Sequence, residues 1–260
     1  MAKQNTDGMI GYATDTINPM EGCQGPRDEN GEHKRCPFCY AYAVAQRMDC
    51  EMCRKFIPHV HADRYDQFQK GSDKVIFLSM SDWCDEMYKE EWDRLFGKIK
   101  EAKQNTFLLL TKQIENLSEG NCFDLWSDVF RKYKSIDNLY TGVTVNRKKD
   151  LYRIGGLKIS IPDDFCAGRW VSFEPLFEDL GDLDLKGLTQ VVIGPQSKPD
   201  IKPDVEWVDG IVGRAERDGA GWWYKNRLNF EGKEDRGELI WWKNWPNDRN
   251  NKNDKQGVLL

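Results

Sequence analysis

The chain is short of several things, and each shortage excludes something. Positive charge is not in excess: 38 Lys and Arg against 43 Asp and Glu leave a formal net charge of −5. A global electrostatic coat for nucleic acid is therefore excluded, although a local basic groove is not. No run of about eighteen apolar residues occurs, so no helix is expected to span a membrane. The opening MAKQNTDGMIGYATD lacks an apolar h-region, so no secretory signal is expected and the protein is placed in the cytoplasm. Thiols stay reduced there, and clustered cysteines are expected as metal ligands rather than disulfides. Histidine is also scarce, with three in the chain, and two of these fall in His59-Val60-His61.

What is present is a series of short apolar runs alternating with amphipathic segments. KVIFLSMSD (74–82), TFLLLTK (106–112), LYTGVTVN (139–146), RWVSFEPL (169–176), LTQVVIGPQS (188–197) and GWWYKN (221–226) read as strands. EEWDRLFGKIKEA places Trp92, Leu95, Phe96 and Ile99 on one helical face, and FDLWSDVFRKYKS reads as the next helix. Near-continuous apolar strands separated by helices predict an α/β fold with a parallel sheet and outer helices. The strands end on polar residues: Ser79, Ser81 and Asp82; Thr111 and Lys112; Thr144 and Asn146; Ser172 and Glu174; Gln196 and Ser197. Such ends are where α/β folds bind ligands, so a shared pocket is expected, with helix N-capping as the plainer role for any one of them. Residues 229–260 lose periodicity and read as a partly mobile C-terminal extension to a domain spanning 1–228.

Five of the eight cysteines lie between residues 22 and 53. Cys36-Pro-Phe-Cys39 followed by Cys50-Glu-Met-Cys53 has the spacing of a four-cysteine zinc ribbon, and spacing alone favours that reading. It leaves Cys23 idle and puts an Ala-rich helix, YAYAVAQRM, between the two pairs. In the other reading, Cys23, Cys36 and Cys39 hold three irons of a [4Fe–4S] cluster, with the fourth iron open. Cys50, Cys53, His59 and His61 then form C-x2-C-x5-H-x-H, a candidate second metal site of zinc type. Cys84, Cys122 and Cys166 are scattered and are expected as buried small hydrophobes.

The ordered motifs NPMEGC (18–23), CPFCYA (36–41), HADRY (61–65), SMSD (79–82), LTK (110–112), GVTV (142–145), VSFEPL (171–176), GPQS (194–197) and WWYKN (222–226) resemble the phage Gp37/Gp68-like family of radical S-adenosylmethionine type. GPQS stands where that family tends to have Gly-Gly-Glu-Ser, and HADRY has Asp where Glu is usual. The resemblance implies a partial (β/α)6 TIM-like barrel with the cluster loop near the N-terminus. It further implies a [4Fe–4S] cluster on Cys23, Cys36 and Cys39, reductive cleavage of S-adenosylmethionine, and hydrogen abstraction from a substrate. Phe38, Tyr40, Ser79, Ser81, Asp82, Thr144, Asn146, Ser172 and Glu174 are then expected around the cofactor, and Lys112, Gln196 and Lys225 near the substrate. An electron donor such as flavodoxin or ferredoxin is implied, with a nucleic acid or nucleotide as substrate class and room for a partner protein. The competing expectation is a non-catalytic zinc module on Cys36, Cys39, Cys50 and Cys53 that binds nucleic acid or protein.

Overall fold

In the computed structural model, residues 10–118, 120–197, 199–232 and 235–242 are described. The apolar runs form strands where their sequence pattern put them. β1 (Asp15–Thr16), β4 (Val75–Phe77), β5 (Thr106–Thr111), β6 (Ile136–Thr144), β7 (Cys166–Phe173), β8 (Gln190–Ile193) and β9 (Gly221–Tyr224) make one sheet in that order, every neighbouring pair parallel. Each strand lies beside its predecessor, so the sheet advances in one direction as a partial TIM-like barrel. A two-stranded antiparallel ribbon, β2 (Met20–Glu21) with β3 (His59–Val60), stands apart from it.

Helices α3 (Trp92–Glu101), α4 (Gly120–Lys132), α5 (Tyr152–Ser160) and α6 (Val205–Asp218) return the chain between successive strands. Trp92, Leu95, Phe96 and Ile99 of α3 are fully buried, as their spacing requires. The β7–β8 connection departs from strict alternation, with no helix among its residues 174–189. Pro175 and the left-handed Gly181 and Gly187 (φ 73° and 74°) interrupt any helical run there. Leu176, Leu180, Leu183, Leu185 and Leu188 instead bury one after another against the sheet.

Alternation along the strands creates two cores. Ile76, Phe107, Leu109, Val143, Val171 and Ile193 pack with the helices, while Val75, Phe77, Leu108, Tyr140, Trp170 and Val192 face the opposite side. That inner face is filled by Tyr12 from before β1 and by Leu239 and Trp241 from the C-terminal segment. Trp241 lies 5.4 Å from both Tyr140 and Trp170, and its indole N–H donates to Tyr12 O at 3.1 Å. Part of the 229–260 extension is thus built into the barrel interior; residues 243–260 lie outside the described residues. Among the described residues no helix is long and apolar enough to cross a membrane.

Before β4 the chain forms two short helices, α1 (Tyr40–Ala45) and α2 (Glu51–Lys55). They carry the cysteine-rich segment over the end of the sheet.

Replacing Trp241 with Ala removes the centre of the aromatic plug and is expected to lower unfolding free energy by about 3–5 kcal/mol. Urea denaturation measures this, and a loss well under about 1 kcal/mol would show that the plug is not part of the core.

Candidate functional site

The site starts from the way residues 18–25 are laid along the exit of β4. Asn18 Oδ1 accepts from the amides of Ser79 at 2.7 Å and Met80 at 3.0 Å. The Gly22 amide donates to Met80 O at 3.0 Å, which makes a parallel bridge between Gly22 and Ser81. The buried Tyr88 hydroxyl reaches Glu21 O at 2.6 Å and Gly22 O at 2.8 Å. Gly22 itself has φ +88°, and a Cβ there would collide with the Ile57 carbonyl. Gly25, at φ +87°, would collide with Lys34 O in the same way. Glycine on both sides of Cys23 is therefore required by backbone conformation and by contact.

Cys23 Sγ accepts from the Gly25 amide at 3.1 Å and lies 3.6 Å from Gln113 Nε2. Cys39 is the N-cap of α1: its sulfur accepts from the Tyr42 amide at 3.3 Å, and its own amide donates to Cys36 O at 3.0 Å. Burial pushes the Cys23 thiol well above its ordinary range, and the carboxylates of Asp82 and Asp85 push it further. Burial also raises Cys39, against the Tyr42 amide and the Lys112 ammonium, which favour its thiolate. A charge on Cys36 raises both, so Cys36 lies within electrostatic reach of each. Cys23 and Cys39 pack against the same small apolar cluster of Ala41, Ala45, Phe56 and Met80, and Cys36 is joined to Cys39 through the turn at the start of α1.

Beside them opens a cleft of about 1140 Å³. Of the expected site residues, Cys36, Phe38, Lys112, Asn146 and Gln196 line it. The same cleft collects Arg27, Lys34, Arg35, Lys112, Arg147, Lys149 and Arg153, against the acidic Asp28, Glu29 and Asp150. Lys34 pairs with Asp28, and Arg153 with Asp150 at 3.1 Å. Among the described residues Lys112 and Lys149 form no ion pair. Phe38 meets Phe177 edge-on at 5.0 Å, with the Lys112 ammonium 5.9 Å above Phe38 and the Arg147 guanidinium 4.7 Å above Phe177. An acidic chain thus lines one groove with an excess of positive charge and two edge-to-face aromatic rings.

The other expected residues lie elsewhere. Ser79 and Tyr40 line a second, smaller pocket of about 300 Å³ with Glu21 and Arg64. Ser81 is tied to Gly22 through the backbone. Asp82 is buried and accepts from Thr111 Oγ1 at 2.5 Å, Lys112 N at 2.7 Å and Cys84 N at 3.1 Å. Its carboxylate is filled by these donors and sets the position of Lys112. Thr144 and Ser172, opposite each other on β6 and β7, are buried, and Thr144 Oγ1 has no partner. Glu174 forms an ion pair with Lys225 across the ends of β7 and β9, closing over Gly194, where a Cβ would lie 2.9 Å from the Glu174 carboxyl carbon.

Cys50, Cys53, His59 and His61 form a separate group, their ligand atoms all within 4.8 Å of one another. Cys36 and Cys39 are not part of it, so the four-cysteine ribbon is not formed. The β2–β3 ribbon carries the histidines to α2, while Cys36 and Cys39 turn the other way at the start of α1.

Asn18 opens the NPMEGC motif, but Gln113 and Tyr88, whose side chains also position Cys23, stand in no motif, because single polar or aromatic residues carry none. Sequence reasoning also missed the basic lining of the cleft, which is drawn from residues 27–35, 112 and 147–153. Its linear traces are the pair Lys34-Arg35 and the run Arg147-Lys148-Lys149 after GVTVN. Gly22→Ala is expected to destabilise the fold by more than about 1 kcal/mol, since the added methyl meets a carbonyl at positive φ. It should also speed alkylation of Cys23 in the native state; unchanged unfolding and alkylation rates would contradict this picture of the turn.

Comparison with solved structures finds spore photoproduct lyase complexed with dinucleoside spore photoproduct, at 10% identity and TM-score 0.44, covering 93% of this chain and 72% of that one. A spore photoproduct lyase variant with bound AdoMet and dinucleoside spore photoproduct matches at 12% identity and TM-score 0.45, covering 93% and 71%. No curated protein matches the chain. The model of one family, described as "Protein of unknown function (DUF5131)", matches residues 7–257. That match takes in nearly the whole chain, both cysteine groups, the barrel strands and the aromatic plug, and the chain belongs to the DUF5131 family.

Proposed function

We propose that the protein is a radical S-adenosylmethionine enzyme that acts on a phosphate-bearing substrate, a nucleic acid or nucleotide. The observation that supports this reading is that Cys23 and Cys39 pack on one small cluster at the exit of β4, while Cys36 lines the adjoining basic cleft with its aromatic walls. The donor chemistry fits a [4Fe–4S] cluster: Cys23, Cys36 and Cys39 are free thiols, and the second Cys/His group is complete without them. A tripod of this kind leaves one iron for an external ligand. When bound, the cluster and S-adenosylmethionine supply a carbon-centred radical able to abstract hydrogen.

The chain's own residues then bind, orient and exclude water. The Gly25 amide and the Gln113 side chain direct hydrogen-bond donors at Cys23 Sγ, the kind of contact that tunes a cluster's potential. Asp82 holds the backbone of Lys112, whose ammonium stands over Phe38 near the thiols. Asn146, fixed by its amide's hydrogen bond to Pro175 O at 2.7 Å, is assigned to the cofactor side of the cleft. Tyr40 and Ser79 would reach the cofactor only across the smaller pocket. Thr144, Ser172 and Glu174 are assigned to shaping the barrel mouth beneath it. Lys112, Lys149, Arg35 and Gln196 are assigned to the substrate. Phe38 and Phe177 offer faces on which a base can stack. A flavodoxin or ferredoxin is the matching class of electron donor.

Anaerobically reconstituted protein is expected to be brown, to hold about four irons, and to release 5′-deoxyadenosine from S-adenosylmethionine with dithionite. Cys36→Ala should lose both the colour and the product; a protein that stays colourless and iron-free after reconstitution would exclude the reading. Binding of a fluorescent single-stranded oligonucleotide is expected to weaken as salt rises. Lys149→Ala should weaken it and flatten the log–log salt slope by about one unit. An unchanged slope would place the nucleic acid, if it binds, outside this cleft.

A further inference from the structure

The Cys50, Cys53, His59 and His61 group stands apart from Cys23, Cys36 and Cys39, and its ligand atoms are gathered within 4.8 Å of one another, close enough for one small ion to draw them together. Cys53 Sγ lies 3.3 Å from both His59 Nε2 and His61 Nε2, Cys50 Sγ lies 3.6 Å from His59 Nε2, and the two Nε2 atoms are 2.9 Å apart. A tetrahedral zinc ion, with bonds of about 2.0–2.3 Å, places its ligand atoms roughly 3.3–3.8 Å from one another. Two thiols and two imidazoles are a closed, four-ligand donor set of the structural type.

Two further observations point to an ion. His59 Nδ1 lies 2.8 Å from Ile57 O. Because a carbonyl only accepts, Nδ1 must carry the proton, and the Nε2 lone pair is left facing the group. Glu21, 2% exposed, has its Oε1 paired with Arg64. Its Oε2 is buried 3.8 Å from His61 Nε2, with the Cys53 thiol also within reach of the carboxylate. A buried carboxylate facing a sulfur and an imidazole is costly unless a cation stands among them.

We propose that Cys50, Cys53, His59 and His61 bind one zinc ion, which clamps the β2–β3 ribbon to α2 and thereby fixes the segment that presents Cys23. The connections are short. His59 lies in β3 and His61 directly follows it; Val60 and His59 pair with Met20 and Glu21 of β2, and Gly22 and Cys23 follow directly. The Ile57 carbonyl that accepts from His59 Nδ1 is also the atom against which Gly22 packs. On the other side, Phe56 at the end of α2 meets the ring of Tyr42 in α1 at 5.7 Å, and Cys39 caps α1. One ion therefore joins the two segments that carry the tripod.

The zinc site does not depend on what the tripod holds, and the test keeps the two separate. The Cys23→Ala/Cys36→Ala/Cys39→Ala variant is expected to retain about one equivalent of zinc, and Cys53→Ser/His59→Ala to retain none. Cobalt titrated into that triple variant should give the visible bands of a tetrahedral thiolate site, a readout that needs no change at the zinc ligands. In the intact chain, removal of zinc by a chelator should speed amide exchange at residues 20–25 at least tenfold, and restored zinc should reverse it. Absence of zinc and of tetrahedral cobalt bands in the triple variant would overturn the site. So would iron in place of zinc, or zinc retained by Cys53→Ser/His59→Ala; unchanged exchange at residues 20–25 would overturn the clamp.

Discussion

The backbone contact between Gly22 and the exit of β4 is the constraint on which the rest of the site depends. Cys23 has no secondary structure of its own; it is held because the Gly22 amide meets Met80 O and the side chain of Asn18 accepts from the Ser79 and Met80 amides of that exit. Only a residue without a Cβ can come so close to Ile57 at that backbone angle. From this contact the β2–β3 ribbon, the second Cys/His group and the position of Cys23 relative to α1 all follow.

A parallel sheet that advances one strand at a time leaves its strand ends as the natural floor for such a loop. The opposite problem, filling the inner face of an open barrel, is met with aromatic bulk. Tyr12, Trp170 and Trp241 converge there, with the first and third brought in from the two ends of the described chain. The high tryptophan content is thus spent largely on packing. The aromatic groups left for recognition are few, and Phe38 and Phe177 at the cleft are among them.

Much of the frame was legible in the sequence because burial on both faces writes a strand as a continuous apolar run. TFLLLT and QVVI could hardly form anything else, and Trp92, Leu95, Phe96 and Ile99 announced a helix face. The β7–β8 connection was less legible: a run of spaced leucines can pack as a loop when proline and left-handed glycines forbid a helix. At the site, Cys23, Cys36 and Cys39 could be grouped only through a pattern covering the whole chain, since local spacing favoured joining Cys36 and Cys39 to Cys50 and Cys53. His59 and His61 share one thiol group because strand pairing and a short helix fold them together. The polar strand ends proved mixed in role: Asn146 and Lys112 face the cleft, whereas Asp82 is consumed by the hydrogen bonds that place its neighbours. Burial of a polar side chain is decided by partners distant in sequence, and no local pattern reports it.

The central claim, an iron–sulfur cluster on three cysteines with one iron open to S-adenosylmethionine, is tested most directly by electron paramagnetic resonance of the reduced, reconstituted protein. The account predicts a one-electron-reduced [4Fe–4S] signal that shifts when S-adenosylmethionine is added and is lost in Cys23→Ala. A reduced protein with no such signal, or a signal indifferent to both the ligand and the substitution, would contradict it.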